Sequence, residues 1–396
     1  MLPTLAHRAL YASFDRVPSP KGAATHIERF AGTLFNTYAG GILHVLGDPE
    51  LPSYQKEGDV EIVRFDVECA NFLERAIGYG RNLTSVLDAQ RDTLELCHFR
   101  DPWSGIPILD RPHRYATIYE VNGLPSIELP NTYPLLSPQT LDKIRQAEKH
   151  CWTHADAIVT PSRTIADNLV RLGAAAERIH VVPNGAEPST VRPLLPEEAP
   201  PQYLIYFGAL QPWQGVDTLL RAFARLADLS ELRLVICSSS HRRMAKPYAR
   251  LAEKLEIADR IVWKHGLGRA ELARWVSHAR ASIAPLSECA RNIEQGCAPL
   301  KILESMALGT PVVASDIPAV REIVSDERLG RLVHADRPAE LARALRLVLE
   351  YPDAAREMGL RGRIHLEENF TWSQSVEKLR SIYDLMRRPA RAEGNA

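Results

Sequence analysis

Residues 281–315, ASIAPLSECARNIEQGCAPLKILESMALGTPVVAS, hold two strand-like runs, Ala281–Ala284 and Pro311–Ala314, on either side of an amphipathic helix that Pro299 opens. A proline at the first helical position leaves the neighbouring backbone N–H groups free, and the helix dipole adds positive potential there. The junction therefore predicts an anion site made without net charge. Lys301 and Glu304, three residues apart, share one helical face near that start.

The same alternation extends outward in both directions. Downstream and just upstream, strands are expected at Tyr203–Phe207, Arg233–Cys237, Ile261–Lys264 and Gly330–Val333, with helices between them and a last helix at Trp372–Arg388. In the first half, strands are expected at Ala9–Phe14, Gly41–Leu46, Val60–Asp66, Leu94–Phe99, Tyr115–Val121, Ala157–Thr160 and Arg178–Val182. Helices fall at His26–Tyr38, Ala70–Gln90, Pro138–Thr153 and Pro161–Leu172. Strands alternating with helices mean parallel sheets wrapped on both faces. A proline-laden stretch, 186–202, separates the two series, so the chain divides into a first lobe over 1–185, a linker, a second lobe over 203–371 and a terminal helix over 372–388 expected to return to the first lobe. Residues 389–396 read as a frayed end.

With 396 residues, two domains are the expectation from length alone. Lys and Arg total 48 against 49 Asp and Glu, a net charge of −1 that excludes the electrostatic footprint of a nucleic-acid binder. No apolar run reaches the ~18 residues of a spanning helix. No small-residue cleavage pattern follows Ala9–Phe14, so no signal peptide is expected. The six cysteines are scattered without a C-x-x-C, which fits reduced thiols in a cytoplasm. No D-x-D occurs and no metal-ligand spacing is present; G-x-G-x-x-G, G-x-S-x-G and P-loop patterns are absent as well.

Read together, Val182-Pro-Asn-Gly185, Phe207-Gly-Ala-Leu-Gln-Pro-Trp-Gln-Gly-Val-Asp217 and Leu300-Lys-Ile-Leu-Glu-Ser-Met-Ala-Leu-Gly-Thr-Pro-Val-Val-Ala-Ser315 resemble the retaining GT-B glycosyltransferases of family 4. The resemblance runs from the first strand to the final helix and is strongest in the second half. It implies an α/β, GT-B fold: two Rossmann-like doubly wound lobes facing a central cleft. It also implies that Glu304 holds the ribose of a nucleotide donor, as the second glutamate of the family's Glu-x7-Glu motif. Amides around Cys297, Ala298 and Leu300 would hold the diphosphate, with Gly266 where the base is read. Gly22, in the loop before the first helix, would lie against the donor phosphate and the acceptor. Asn122 stands where the family often has a histidine touching the donor sugar.

Three departures qualify the match. The family's arginine and lysine, which neutralise the diphosphate after Gly208, are here Ala209 and Gln214, and its first glutamate is Gly296. Losing one well-placed donor costs on the order of 3 kcal/mol at a transition state that gathers charge. Candidate replacements are Lys301 first, then Arg291, then Arg242 and its neighbours; Glu294 is the candidate for the missing carboxylate. His98, with Arg100 and Asp101 just past a strand, is expected at the cleft edge, and it reads equally well as a histidine bonded to a backbone carbonyl.

The resemblance thus implies a metal-independent, retaining transferase needing no cofactor beyond its nucleotide-sugar donor, with a sugar, lipid-linked glycan or small molecule as acceptor. Glu294, Lys301, His98 and Asn122 are the expected catalytic group. Partners include no nucleic acid and at most peripheral contact with the inner face of a membrane, while the oligomeric state stays open. A nucleotide-sugar-binding scaffold that has lost efficient catalysis is the alternative, motivated by the missing arginine and lysine; a phosphorylase or inverting enzyme on the same fold is a third.

Overall fold

The computed structural model describes residues 3, 5–19, 22–189 and 193–387. Part of the linker stretch, Arg388 at the end of the expected terminal helix and the tail 389–396 lie outside the described residues.

The first series of strands is β1 (Ala9–Arg16), β2 (Gly41–Leu46), β3 (Tyr54–Glu57), β4 (Val60–Phe65), β5 (Leu96–Phe99), β6 (Ala116–Glu120), β7 (Ala157–Thr160) and β8 (Ile179–Val181). They form one eight-stranded sheet in the order β3-β4-β2-β1-β5-β6-β7-β8, with only β3 antiparallel to its neighbour. Helices α1 (Gly22–Tyr38), α2 (Phe72–Ala89), α3 (Pro102–Leu109), α4 (Pro125–Thr132), α5 (Pro138–His154) and α6 (Arg163–Arg171) accompany it. The second series, β9 (Tyr203–Gly208), β10 (Arg233–Ser238), β11 (Ile261–His265), β12 (Ser282–Ala284), β13 (Val312–Ser315) and β14 (Arg331–Val333), forms a six-stranded parallel sheet in the order β11-β10-β9-β12-β13-β14. Its helices are α7 (Val216–Ala224), α8 (Lys246–Lys254), α9 (Arg269–His278), α10 (Leu300–Ala307), α11 (Pro318–Arg321), α12 (Pro338–Glu350) and α13 (Pro352–Asn369), followed by α14 (Trp372–Met386).

Strands such as Leu204-Ile-Tyr-Phe207 and Val312-Val-Ala314 are apolar throughout because both faces of a helix-covered parallel sheet are buried. Each sheet reverses its order of growth once, between β1 and β5 and between β9 and β12. Such a reversal opens a crevice beyond the carboxyl ends of the strands, where doubly wound sheets take ligands.

Four elements are absent from the sequence expectation. Helices α3 and α4 carry internal prolines, Pro107 and Pro130, that mask their helical character. Helix α13 has little apolar periodicity because it packs through glycine: a Cβ on Gly359 would lie 2.2 Å from the carbonyl oxygen of Gly309. Strand β3 is a short polar edge strand. The loop before α10 also contains an unexpected π-helical turn, Arg291–Gln295.

The chain passes between the lobes twice. Ala186 and Thr371 form an isolated parallel bridge, Ala186 N–H donating to the carbonyl of Phe370 at 3.0 Å. Past the second crossing α14 packs on α1, with Trp372, Leu379, Ile382 and Tyr383 entering the apolar cluster of Phe30 and Leu34. The proline-rich stretch lies along the second lobe, the Pro193 carbonyl 2.7 Å from Nε2 of His278 and the Leu194 carbonyl accepting from Arg274 at 3.1 Å.

Candidate active site

Two adjoining hollows lie between the lobes, of about 330 Å³ and about 580 Å³, and they share Gly22, Phe207, Gly208, Ser239 and Glu304. The smaller holds the start of α10; the larger runs out to Gly266 and Arg269.

The second-lobe wall is built on α10. Pro299 precedes the helix, and no side chain caps its first amides. Lys301 turns inward, its Nζ donating to Oε1 of Gln214 at 2.6 Å and standing 4.1 Å from the centre of the Tyr206 ring. Neither partner carries a charge, and burial pulls the ammonium pKa down to about 7. One turn on, Glu304 reaches both hollows; burial raises its carboxyl, and Arg269 and Lys301 act the other way. Gly208 has φ +128°, and a Cβ there would stand 3.5 Å from Lys301 Nζ. A side chain at 208 would be strained by that φ, its Cβ in ordinary contact with the ammonium.

The first-lobe wall begins at Gly22, where a Cβ would meet Leu300 Cδ1 at 2.8 Å. The starts of α1 and α10 thus converge, two positive dipole ends on one space. Behind them lies Glu120, at the end of β6 and fully buried. Its carboxylate accepts from Arg100 Nε and Tyr11 Oη at 2.7 Å each, and His26 Nε2 and His98 Nε2 stand 2.9 and 3.1 Å away. Asn122 Nδ2 also donates to it. Burial alone would raise this carboxyl, but His26 and Arg100 hold it well below the usual carboxylate range. Arg100 is in turn paired with Asp15 at 3.0 Å.

Polar contacts knit the lobes together around the cleft. Gln295 Oε1 accepts from Leu124 N–H at 3.0 Å, Arg291 Nε donates to Glu128 at 3.0 Å, and Glu322 accepts from the amides of Arg163 and Thr164 at the start of α6. Arg269 is paired with Glu28 at 2.6 Å.

Of the residues singled out from sequence, Gly22, Asn122, Gly208, Gln214, Arg291, Cys297, Ala298, Leu300, Lys301 and Glu304 line the smaller hollow, and Gly266 lines the larger. Four others do not reach it. His98 is fully buried, because alternation along β5 sends Cys97 and Phe99 to one side of the sheet and His98 to the α1/α14 side, where Nδ1 meets Tyr383 Oη at 2.8 Å. Its partners are side chains rather than a backbone carbonyl. Arg100, one residue past the strand, is the group that reaches the cleft. Glu294 is exposed, since the π-helical turn faces it outward and buries Gln295 instead. Arg242 is exposed in a 3₁₀ turn, while Ser240 Oγ accepts from Leu210 N–H at 3.0 Å. Gly296 packs away from the cleft against Ile165, with φ +92° and a would-be Cβ 3.0 Å from the Ile165 amide nitrogen, so no carboxylate can stand there.

Sequence reasoning missed Glu120, His26 and Asn184 as site residues. A glutamate ending an otherwise apolar buried strand was a signal for the first, and Asn184 lies inside the Val182–Gly185 stretch that carries the family resemblance; nothing local marks His26, or the pairing of the two, which are distant in the chain. Among the described residues no three His, Cys, Asp or Glu gather as a metal-binding group, and no helix is long and apolar enough to cross a membrane.

Comparison with known proteins agrees with this fold. The chain is 30% identical over 256 residues to D-inositol 3-phosphate glycosyltransferase of Xylanimonas cellulosilytica, covering 60% of this chain and 59% of that one. It is 31% identical over 254 residues to alpha-maltose-1-phosphate synthase of Mycolicibacterium smegmatis, covering 58% and 63%. The match therefore spans less than two thirds of either relative. Among solved structures, sucrose-phosphate synthase of Thermosynechococcus elongatus superposes with a TM-score of 0.79 at 20% identity, over 96% of this chain and 99% of that one. Anabaena HepE in complex with UDP-glucose superposes with a TM-score of 0.73 at 14% identity, over 96% and 100%. Both share the fold. The family description Glycosyltransferase Family 4 matches residues 20–190 and Glycosyl transferases group 1 matches residues 191–365, and the chain belongs to these GT-B glycosyltransferases.

Proposed function

We propose that this chain is a retaining, metal-independent glycosyltransferase that moves a sugar from a nucleoside-diphosphate sugar to an acceptor hydroxyl. The carrying observation is the ammonium of Lys301, delivered to Gln214 beside the uncapped start of α10. Gln214 stands where relatives carry a cation, so the charge lost from one element is supplied from another. Helix-start amides and Lys301 would take the diphosphate, Glu304 the ribose and the Gly266 end of the larger hollow the base. HepE is named as binding UDP-glucose, which makes UDP-sugars the first donors to try.

In the reaction the acceptor oxygen forms its bond to the anomeric carbon as the bond to the phosphate oxygen breaks. The hydroxyl proton passes to the departing phosphate on the same face. The leaving group is then the base, and the protein's work is positioning and stabilising the charge that gathers on the diphosphate. This reading needs no enzymic nucleophile, which agrees with the outward-facing Glu294. Metal independence rests on the absent D-x-D and on the role given to Lys301. Assembly of surface polysaccharide or glycolipid at the cytoplasmic side of a membrane is the proposed setting.

Titration with UDP-, GDP- and ADP-sugars, then assay of hydrolysis and transfer with and without EDTA and NMR analysis of the product anomer, tests the reading. Binding with no turnover on a broad acceptor panel would favour a scaffold, an inverted anomer would remove the retaining assignment, and loss of activity in EDTA would remove metal independence.

A further inference from the structure

Two histidines meet the carboxylate of Glu120, and their second nitrogens have different partners. His98 Nδ1 faces the hydroxyl of Tyr383, which can donate, so a neutral ring suffices there: its proton can sit on Nε2, 3.1 Å from Glu120 and off the line of a regular hydrogen bond. Burial pushes that imidazole down, in the same direction. His26 lacks this freedom. Its Nδ1 is 2.7 Å from Oδ1 of Asn184, and the Asn184 amide cannot be turned round, because its Nδ2 donates to the carbonyl oxygen of Ala298 at 3.1 Å. Its Nε2 stands 2.9 Å from Oε1 of Glu120, off the line of a regular hydrogen bond but within contact of the carboxylate. Both ring nitrogens face oxygen acceptors, and only the imidazolium carries a hydrogen on each.

The charged and titratable groups around this ring are Glu120 from β6, Arg100 after β5, His98 on β5 and Tyr11 on β1, the last three all touching the same carboxylate. Phe30 and Trp372 cover the ring with centroids 3.9 and 6.0 Å away. The line Glu120–His26–Asn184–Ala298 therefore starts in the first sheet, passes through α1 and the first crossing between lobes, and ends two residues before α10.

We propose that His26 and Asn184 form an interlobe clamp, in which an imidazolium seated on Glu120 holds the Asn184 amide, and that amide pins the Ala298 carbonyl and with it the anion-binding start of α10. Both are positioning residues, and the proposal rests on the reading of that helix start as the donor-phosphate site. The clamp ties the place where phosphate is held to the lobe that presents the acceptor.

Nitrogen-15 NMR of histidine-labelled full-length protein, with His26→Asn identifying the signal, reads the clamp directly. Both His26 nitrogens are expected to carry protons in the folded protein, and Glu120→Gln should strip one of them; a neutral ring in the unaltered protein overturns the proposal. In a second arm, UDP, GDP and ADP are titrated into the unaltered protein, Asn184→Ala and the size-preserving Asn184→Asp. Both variants lose the amide N–H that pins the Ala298 carbonyl, and the preferred diphosphate should weaken roughly tenfold in each. Unchanged affinity in a folded variant overturns the clamp. If the unaltered protein binds none of the three, the donor-site reading has failed, while the NMR result still decides the state of His26.

Discussion

The two walls of the cleft treat charge in opposite ways. On the first-lobe wall Glu120, Arg100, His26 and Asp15 are matched against one another before any ligand arrives. On the second-lobe wall the Lys301 ammonium touches an amide and an aromatic ring, with the Glu304 carboxylate one turn away rather than in contact, beside helix amides that no side chain caps. A matched network is stiff and has little charge left to offer. An ammonium buried among neutral partners is uncomfortable until an anion joins it. A chain of net charge −1 can thus build an anion site by leaving one buried cation outside the ion pairs of the described residues on one side of a cleft.

The contrast can be broken most severely at Glu120. Glu120→Ala removes the carboxylate that Arg100 and His26 share, leaving Arg100 only Asp15, and is expected to destabilise the fold by about 3–5 kcal/mol, read by chemical denaturation. A loss below about 1 kcal/mol would mean the first-lobe network does not hold that wall together. Next comes Lys301→Met, expected to weaken nucleoside-diphosphate binding by about a hundredfold or more in calorimetric titration. The same change should raise the melting temperature, by more at pH 6 than at pH 9. The folded ammonium is held down to about 7 from 10.5, so the folded chain binds fewer protons than the unfolded one. Stability is therefore lost as pH falls from the unfolded value through the folded one, and the methionine removes that loss.

A smaller effect is the pH dependence of binding in the unaltered protein. A diphosphate must draw a proton onto Lys301 above pH 7, so affinity should fall by up to about tenfold per pH unit there, and Lys301→Arg should flatten the profile. A flat profile in the unaltered protein would argue that Lys301 does not meet the phosphate. The smallest expected change is at Glu294. With its carboxylate outside the cleft, Glu294→Gln should alter turnover by less than about twofold, and a tenfold loss would return it to the site.

Most of the alternation of strands and helices was legible because each element carries its own period: apolar runs such as Leu204–Phe207 and a helix opened by Pro299 need only local sequence. The elements that escaped were those whose packing is hidden from hydrophobicity, α13 with its glycines and α3 and α4 with their internal prolines. The second-lobe side of the cleft was readable for the same local reason, since Lys301 and Glu304 lie within one helical turn of the anion junction. On the first-lobe side only Gly22 and Asn122 were readable. Asn184 meets His26 across 158 residues and Tyr383 meets His98 across 285, pairings fixed by the closing of the fold. Glu294 was misplaced for a finer reason: a π-helical turn decides which of two adjacent side chains enters the cleft, and in Arg291–Gln295 it chose the glutamine.

Helix α14 belongs to the first lobe in space and follows the second lobe in sequence. During synthesis the first eight strands therefore emerge with an apolar seam along α1 that stays open until nearly all of the second lobe has been translated. Tyr383 then closes it over His98. A nascent chain stalled anywhere before Trp372 would carry that seam uncovered, a natural target for chaperones and proteases. A premature stop shortly before Trp372 would thus injure the half of the protein that was made first.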